Sequence, residues 1–434
     1  MTAFDVRNPP EPDLIDDCVH CGFCLPTCPT YALWGEEMDS PRGRILLIDR
    51  AERGEAGLDA QTVQHLDSCL GCMACVTACP SGVRYDRLIE EARAQVERRF
   101  ERPPAERARR QVLFAVLPHR RRLAPLAAGL VAYRASGLQR ALRRSGVRDR
   151  LPAPLRAAEA LAPTLPAAAL GAGPPLRTPP RGPRRLRVAL LLGCVQRAFF
   201  GDVNAATARV LAAYGCEVVA PGDQGCCGAL ELHAGRDEPA RERAWRLVSR
   251  LERLGADVVV TNAAGCGSAL KEYGHLLADE PEHAAAAAAF AARVRDVSEV
   301  LADLEPPADL APLRLRVAYH DACHLRHAQG VADAPRAVLA AIPGLALVEL
   351  AERDLCCGSA GVYNLLQPAT ASELGERKAA NVVATGAEVL VTANPGCLMQ
   401  IKTALEVRGT PLQLLHTVEL LDASINGQAL TKRT

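Results

Sequence analysis

Eight cysteines near the N-terminus stand at spacings that suit iron–sulfur chemistry. They occur as Cys18-x2-Cys21-x2-Cys24-x3-Cys28-Pro29 and again as Cys69-x2-Cys72-x2-Cys75-x3-Cys79-Pro80. Three thiolates at i, i+3 and i+6 on a tight loop can hold three corners of one cubane. The fourth cysteine heads into a helix that points away from its own loop, so it is better placed to ligate the other cluster. This assigns Cys18, Cys21, Cys24 and Cys79 to one [4Fe–4S] cluster and Cys69, Cys72, Cys75 and Cys28 to a second. The exchange ties both motifs into one domain, and the pattern is that of a bacterial two-cluster ferredoxin. Paired C-x2-C units also build four-cysteine zinc sites, but zinc does not explain a repeated triple followed by Cys-Pro.

Nine further cysteines lie beyond residue 186. Cys194, Cys226-Cys227-Gly228 and Cys266 form one set. Cys323, Cys356-Cys357-Gly358 and Cys397 form another. Neighbouring residues have Cα atoms about 3.8 Å apart, and a disulfide between them is strained. A metal centre in the Cys-Cys-Gly segments is the more economical reason to place two thiols side by side; reactive or buried thiols without metal are the alternative. Gly228 and Gly358 allow a positive φ and a close backbone approach. His320, Asp321 and His324 flank Cys323 and can ligate or move protons, although each histidine alone reads as a hydrogen-bonded structural residue. Cys216 falls outside both sets and reads as a small buried hydrophobe.

The elements that must position these groups can be read in outline. The two sets are an internal repeat, with offsets of 129, 130 and 131 residues. Each repeat opens with an apolar strand, 187–194 and 315–323, and carries a second strand later, 256–262 and 387–394. Val/Leu-rich strands alternating with Ala-rich helical stretches predict a parallel sheet covered by helices on both faces. Most of the cysteines then fall at or just after strand ends, where open α/β sheets bind their ligands. Near the N-terminus, Ser40 as N-cap and Pro41 as first helical residue predict a helix start between the two cysteine motifs. Arg42 and Arg44 on that helix either raise the potential of a nearby cluster or are ordinary surface charges. The expected fold is therefore multidomain. A helical ferredoxin spans 1–95, a basic helical segment and Pro-rich linker 96–185, and two repeated α/β units 186–311 and 312–434.

Composition narrows the class. The chain has 434 residues, of which 49% are hydrophobic and 4% aromatic, so its cores are built of Ala, Leu and Val. No secretory signal is visible after Met1. No stretch reads as a membrane span, because 123–133 is too short and prolines break 160–176. Seventeen cysteines in a chain that reads as cytoplasmic argue for metal or redox chemistry rather than disulfides. The net charge of +1 hides an asymmetry: between Arg98 and Arg150 fifteen arginines face three acids, a local excess of +12 that leaves −11 for the remainder. That segment is either a solvated helical face or a surface for anionic lipid or an acidic partner. Nothing points to nucleic acid. No G-x-G-x-x-G follows a strand, and no nucleophile–base pair is evident, so substrate chemistry belongs to another subunit.

The stretches CVHCGFCLPTCPTY (18–31), SPRGRI (40–45), CLGCMACVTACPSGV (69–83), VTNAAGCGSALKEYG (260–274), YHDACHLRH (319–327), CCGSAGVYNLLQP (356–368) and NPGCLMQI (394–401) resemble the glycolate dehydrogenase (glycolate oxidase) iron–sulfur subunit family over nearly the whole chain. The resemblance implies FAD-containing partner subunits that oxidise glycolate and clusters that pass electrons toward membrane quinone. It also implies a place on the inner face of the membrane. Lactate and glycerol-3-phosphate dehydrogenases use related relay subunits. Similar Cys-Cys-Gly domains occur in heterodisulfide reductases, which implies thiol–disulfide reduction as the alternative activity. There the full motif ends in C-x2-C. Here Ala263 and Asn394 replace the first cysteine of that pair, so a noncubane cluster, a conventional cluster, a single shared one or none stay open.

Overall fold

The computed structural model describes residues 2–163, 167, 170–428 and 430; residues 164–166 and 168–169, inside the expected linker, lie outside them. The N-terminal region is helical, with Pro12–Asp16, Pro29–Trp34, Pro41–Glu52, Ala60–Ser68, Ala74–Ala78 and Tyr85–Arg99. Two starts follow directly from sequence. Pro29 opens the helix after Cys28, and the Ser40 hydroxyl accepts from Gly43 N at 3.0 Å with Pro41 at the first position. A proline there sacrifices no helical hydrogen bond. Ile45, Ile48, Val63, Leu66, Leu88 and Ile89 make the core that braces both cysteine loops.

Nine strands follow among the described residues: β1 (Arg177–Thr178), β2 (Leu186–Leu190), β3 (Cys216–Val219), β4 (Val258–Thr261), β5 (Val294–Asp296), β6 (Arg316–Tyr319), β7 (Ala346–Glu349), β8 (Val389–Val391) and β9 (Gln413–Leu415). They form two sheets, ordered β1-β3-β2-β4-β5 and β7-β6-β8-β9. Every pairing is parallel except β1 with β3. Runs such as Val258-Val259-Val260-Thr261 suit strands covered on both faces. The repeat read from the cysteines thus reappears as one strand order used twice, with β1 as an added antiparallel edge.

The strands are shorter than the sequence suggested. β2 stops at Leu190 and β6 at Tyr319, before Cys194 and Cys323. β4 stops at Thr261 and β8 at Val391. The reason is geometric: a cysteine kept in the ladder would point into a helix layer, whereas one beyond the strand end can turn toward its partners.

The repeats pack about a pseudo-two-fold. Helix Gly201–Ala213 of the first lies on Thr417–Asn426 of the second, and Val297–Asp303 of the first lies on Ala334–Ala340 of the second. One apolar core joins both sheets.

The basic segment folds as helices Pro104–Val116, Arg120–Ala135 and Leu138–Arg144. The expected linker is more ordered than its prolines suggested, containing helix Ala153–Ala160 and strand β1. Pro154 explains this, because it stands in the first turn, where a proline is tolerated.

Candidate metal centres

Both N-terminal cysteine loops bend at equivalent places. His20 and Gly22 in the first have φ of 53° and 87°, and Gly71 and Met73 in the second have 60° and 61°. The left-handed conformation costs a non-glycine residue about 1–2 kcal/mol, so His20 and Met73 hold a shape the surrounding loop demands. That shape turns the thiols inward.

The thiols gather in two groups. Cys18, Cys21, Cys24 and Cys79 line one concavity with Arg42, Ile45 and Tyr85, and Cys75 borders it from the second loop. Cys28, Cys69, Cys72 and Cys75 lie together in the interior, near enough that each ionised neighbour would oppose ionisation of Cys75 or Cys72. Cys79 therefore stands with the first loop and Cys28 with the second. Burial pushes Cys24 up to about 11 and raises Cys18, Cys72 and Cys75. Cys69 is the exception. Burial opposes its ionisation too, but Arg44 and Arg93 outweigh that and bring it below the ordinary thiol value. Tyr85 Oη donates to Cys69 Sγ at 3.5 Å, and Gly71 N donates to it at 3.3 Å. Thiols gathered in fours are a donor set that a bound cation would deprotonate.

Arg44 is no surface charge, being 1% exposed. Its Nη2 donates to Thr30 Oγ1 at 3.1 Å, to Asp39 Oδ1 at 3.1 Å and to Ser68 Oγ at 3.0 Å, and its Nε to His65 O at 2.7 Å. Its Nη1 reaches Cys28 Sγ at 3.9 Å. It therefore fastens the residues after Cys28 to those before Cys69. Arg42 spans from Glu37 to His20 O, at 2.6 and 2.9 Å, and clamps the first loop.

The other cysteines also converge. In the first repeat Cys226 and Cys194 sulfurs are 3.4 Å apart, and Cys227 shares hydrogen bonds with Cys226 and Cys266. In the second Cys323 and Cys356 are 3.9 Å apart, and Cys357 shares hydrogen bonds with Cys356 and Cys397. These cysteines follow β2, β3 and β4 in the first repeat and β6, β7 and β8 in the second, at the crevice where strand order reverses. Gly228 and Gly358 have φ of 80° and 88°. A Cβ on them would lie 3.1 Å from Ala240 O and 2.7 Å from Ala371 O, so both glycines let the thiol pair press against a helix. Cys216 is wholly buried in β3, and burial pushes its thiol up to about 11.

Around Cys323 the three flanking residues part company. Asp321 is paired with Arg336 at 2.7 and 2.9 Å and takes a structural role. His324 Nδ1 lies 3.6 Å from Cys323 Sγ, its ring 4.8 Å from that of His233, and burial drives it down to about 3. His320 departs from the hydrogen-bonded role expected of it. It is buried, and neither ring nitrogen has a hydrogen-bond partner among the described residues. Its ring instead faces Cys357 and Cys397. Asn394, at the place of the missing fifth cysteine, donates from Nδ2 to Cys397 Sγ at 3.4 Å.

The two kinds of site are joined. Cys72 and Cys356 share one apolar cluster with Leu70, Leu355 and Tyr363, and Cys323 packs against it. Tyr363 Oη donates to Ser68 O at 3.0 Å. Thr77 Oγ1 and His327 Nδ1 are 2.8 Å apart, and Arg93 Nη1 donates to His233 O at 2.9 Å. Sequence reasoning missed Tyr85, Arg93, Tyr363 and Lys378, since each acts across a long stretch of chain. Only an apolar helix face interrupted by Lys378, fully buried, offered a signal.

Comparison with known proteins finds families over each cysteine-rich region. A 4Fe-4S dicluster domain family matches residues 14–83, and a cysteine-rich domain family matches 188–271 and 317–402. A third, described as the linker region of the glycolate oxidase iron-sulfur subunit, matches 105–162. The chain is 41% identical to the "Probable glycolate oxidase iron-sulfur subunit" of Bacillus subtilis, over 93% of each chain. It is 37% identical to the glycolate oxidase iron-sulfur subunit of Escherichia coli, over 94% of this chain and 93% of that one. Lactate utilization protein A of an Exiguobacterium species is 30% identical over 55% of this chain and 98% of its own. A crystal structure of a hypothetical protein from Helicobacter pylori shares the fold, with a TM-score of 0.52 at 10% identity over 90% of this chain and 68% of that one. With identity of this extent along nearly its full length, the chain belongs to the glycolate oxidase iron–sulfur subunit family.

Proposed function

We propose that this chain is the electron-transfer subunit of a glycolate-oxidising complex and relays electrons from the FAD of a partner subunit toward quinone. One observation carries the reading: eight thiols gather in two crossed groups of four, and the inner group abuts the Cys323–Cys356 centre. Cys18, Cys21, Cys24 and Cys79 would hold one [4Fe–4S] cluster, and Cys28, Cys69, Cys72 and Cys75 the other. Such clusters exchange single electrons. Everything else is positioning. Cys21 is exposed, with Val19 and Phe23 exposed beside it, which leaves the first group open to a partner protein. Cys72 is buried against the second repeat, which continues the path inward. Arg44 and Arg93 favour negative charge on Cys69 of the inner group.

The test uses the full chain, reconstituted anaerobically with iron and sulfide and mixed with its flavoprotein partner and glycolate. The chain is expected to hold about eight irons in its two clusters, and each cluster is expected to take one electron and appear by EPR within turnover. A redox-silent sample, or one holding far less iron, contradicts the reading.

Membrane attachment is the finer part of the proposal. No helix among the described residues is long and apolar enough to cross a membrane. The basic segment is partly consumed internally: Arg98 pairs with Asp5 and Asp237, and Arg102 with Asp67, Glu97 and Glu106. Arg121, Arg140 and Arg144 remain exposed, near the exposed Leu126 and Leu138. That mixture suits an anionic lipid surface. Changing these three arginines to Gln is expected to weaken salt-sensitive binding of the complex to anionic vesicles; unaltered binding contradicts lipid contact.

A further inference from the structure

We propose that His320 is a direct ligand, through a ring nitrogen, of a metal centre gathered by Cys357 and Cys397 in the second repeat. The inference rests on the reading that the Cys-Cys-Gly thiols hold iron, and adds a donor that the cysteine pattern does not contain.

Three observations converge on it. The donor atoms of His320, Cys357 and Cys397 lie within 4.8 Å of one another, and all three residues are buried. His320 is 1% exposed, and neither ring nitrogen has a hydrogen-bond partner among the described residues. Other buried histidines of the chain do not share this state. His324 uses Nδ1 toward Cys323, His327 uses Nδ1 toward Thr77, and His416 uses both nitrogens, toward Val418 N and Asn262 O. An unpaired buried polar group costs about 1–3 kcal/mol, so an imidazole with both nitrogens bare is a poor structural residue and a ready ligand.

The third observation comes from the repeat. The position equivalent to His320 in the first repeat, by the offset of 129 that relates Cys194 to Cys323, is Leu191. Leu191 is buried too, so the scaffold accepts a hydrocarbon there. The histidine therefore serves the thiols it faces rather than the fold. Asn394 supports the same division: its amide donates to Cys397 Sγ and leaves the remaining coordination to another group.

The consequence is a chemical difference between two otherwise matched centres. Around the first, the converging donors are thiols. Around the second, a neutral imidazole joins them. Replacing thiolate by imidazole raises the reduction potential of an iron–sulfur centre, so the second repeat, which abuts Cys72, would be the better electron acceptor.

The test compares wild type, H320A, H320C and C357S/C397S as full chains reconstituted anaerobically with iron and sulfide, read by iron per chain and by potentiometric titration. H320A is expected to lose the same iron as C357S/C397S. H320C is expected to keep that iron with the centre shifted to lower potential, which a packing role would not produce. Unchanged iron and potentials in H320A overturn the proposal. So does loss of iron in both H320 variants, or an unshifted potential in H320C. Wild type and C357S/C397S with equal iron would instead overturn the underlying reading that this repeat holds metal.

Discussion

Where the first repeat has Leu191 the second has His320, and where the first has Ala263 the second has Asn394. Arg243 adds positive charge beside Cys226 in the first repeat, and Lys378 does so beside Cys356 and Cys357 in the second. The helix after the last strand begins with Asp296 as N-cap in one and with His416 in the other, each completing a capping box with a glutamate. The strand order, the thiols and the two left-handed glycines are the same. Duplication has therefore kept what fixes the positions of the sulfurs and released what sets their surroundings. The N-terminal loops repeat the lesson on a smaller scale. Their backbones bend alike, yet Cys21 is exposed and Cys72 is buried.

The comparison can be pressed hardest at the two glycines. Both have positive φ, but an added Cβ meets Ala371 O at 2.7 Å in the second repeat and Ala240 O at only 3.1 Å in the first. G358A should cost about 4 kcal/mol, combining conformational strain and overpacking, and G228A about 2 kcal/mol. Thermal unfolding of the two variants checks the order; equal losses would mean that the repeats pack alike. Next comes the capping pair. Burial pushes Asp296 up to about 6, above the ordinary carboxylate value. A carboxyl with a raised folded pKa binds its proton more tightly in the fold, so its contribution is present below about pH 4 and is lost as pH rises through about 6. D296N keeps an acceptor for Ser298 N and carries no charge. It should match wild type at pH 4 and exceed it by about 2 kcal/mol at pH 7, as read by denaturant unfolding at both values; a constant difference would contradict the burial argument. The smallest effect lies between the repeats. Arg209 Nη2 pairs with Asp422 Oδ2 at 2.6 Å, but its side chain is 48% exposed, so R209A should cost under about 1 kcal/mol. A larger loss would show that this ion pair, and not the shared apolar core, holds the repeats together.

Much of this was legible in the sequence because it is local or periodic. The paired cysteine triplets, the Ser40-Pro41 helix start, the positive φ of Gly228 and Gly358 and the doubled strand pattern all follow from short-range rules. What escaped depends on approach between distant segments. The sequence cannot show that Arg44 turns inward to Asp39 and Ser68 rather than outward to water, because Ser68 is brought to it by a separate helix. Nor does it show that His320 finds no hydrogen-bond partner among the described residues, since that follows from what the ends of β6 and β8 leave around it. Strand ends were overrun for the same reason: Leu191 and Leu192 are apolar enough to continue β2, and the matching place after β6 was read by analogy with it, although His320 and Asp321 follow Tyr319. The helix Ala153–Ala160 was masked by the prolines around it, although one of them stands in its first turn.

The central claim is that the eight N-terminal thiols hold two clusters that exchange one ligand each. An iron-edge anomalous density map of the anaerobically reconstituted full chain tests it most directly. Two compact iron sites are expected, one closed by Cys79 beside Cys18, Cys21 and Cys24, the other by Cys28 beside Cys69, Cys72 and Cys75. A map showing single metal ions, sulfur–sulfur bonds, or each site closed by the fourth cysteine of its own motif would contradict the account.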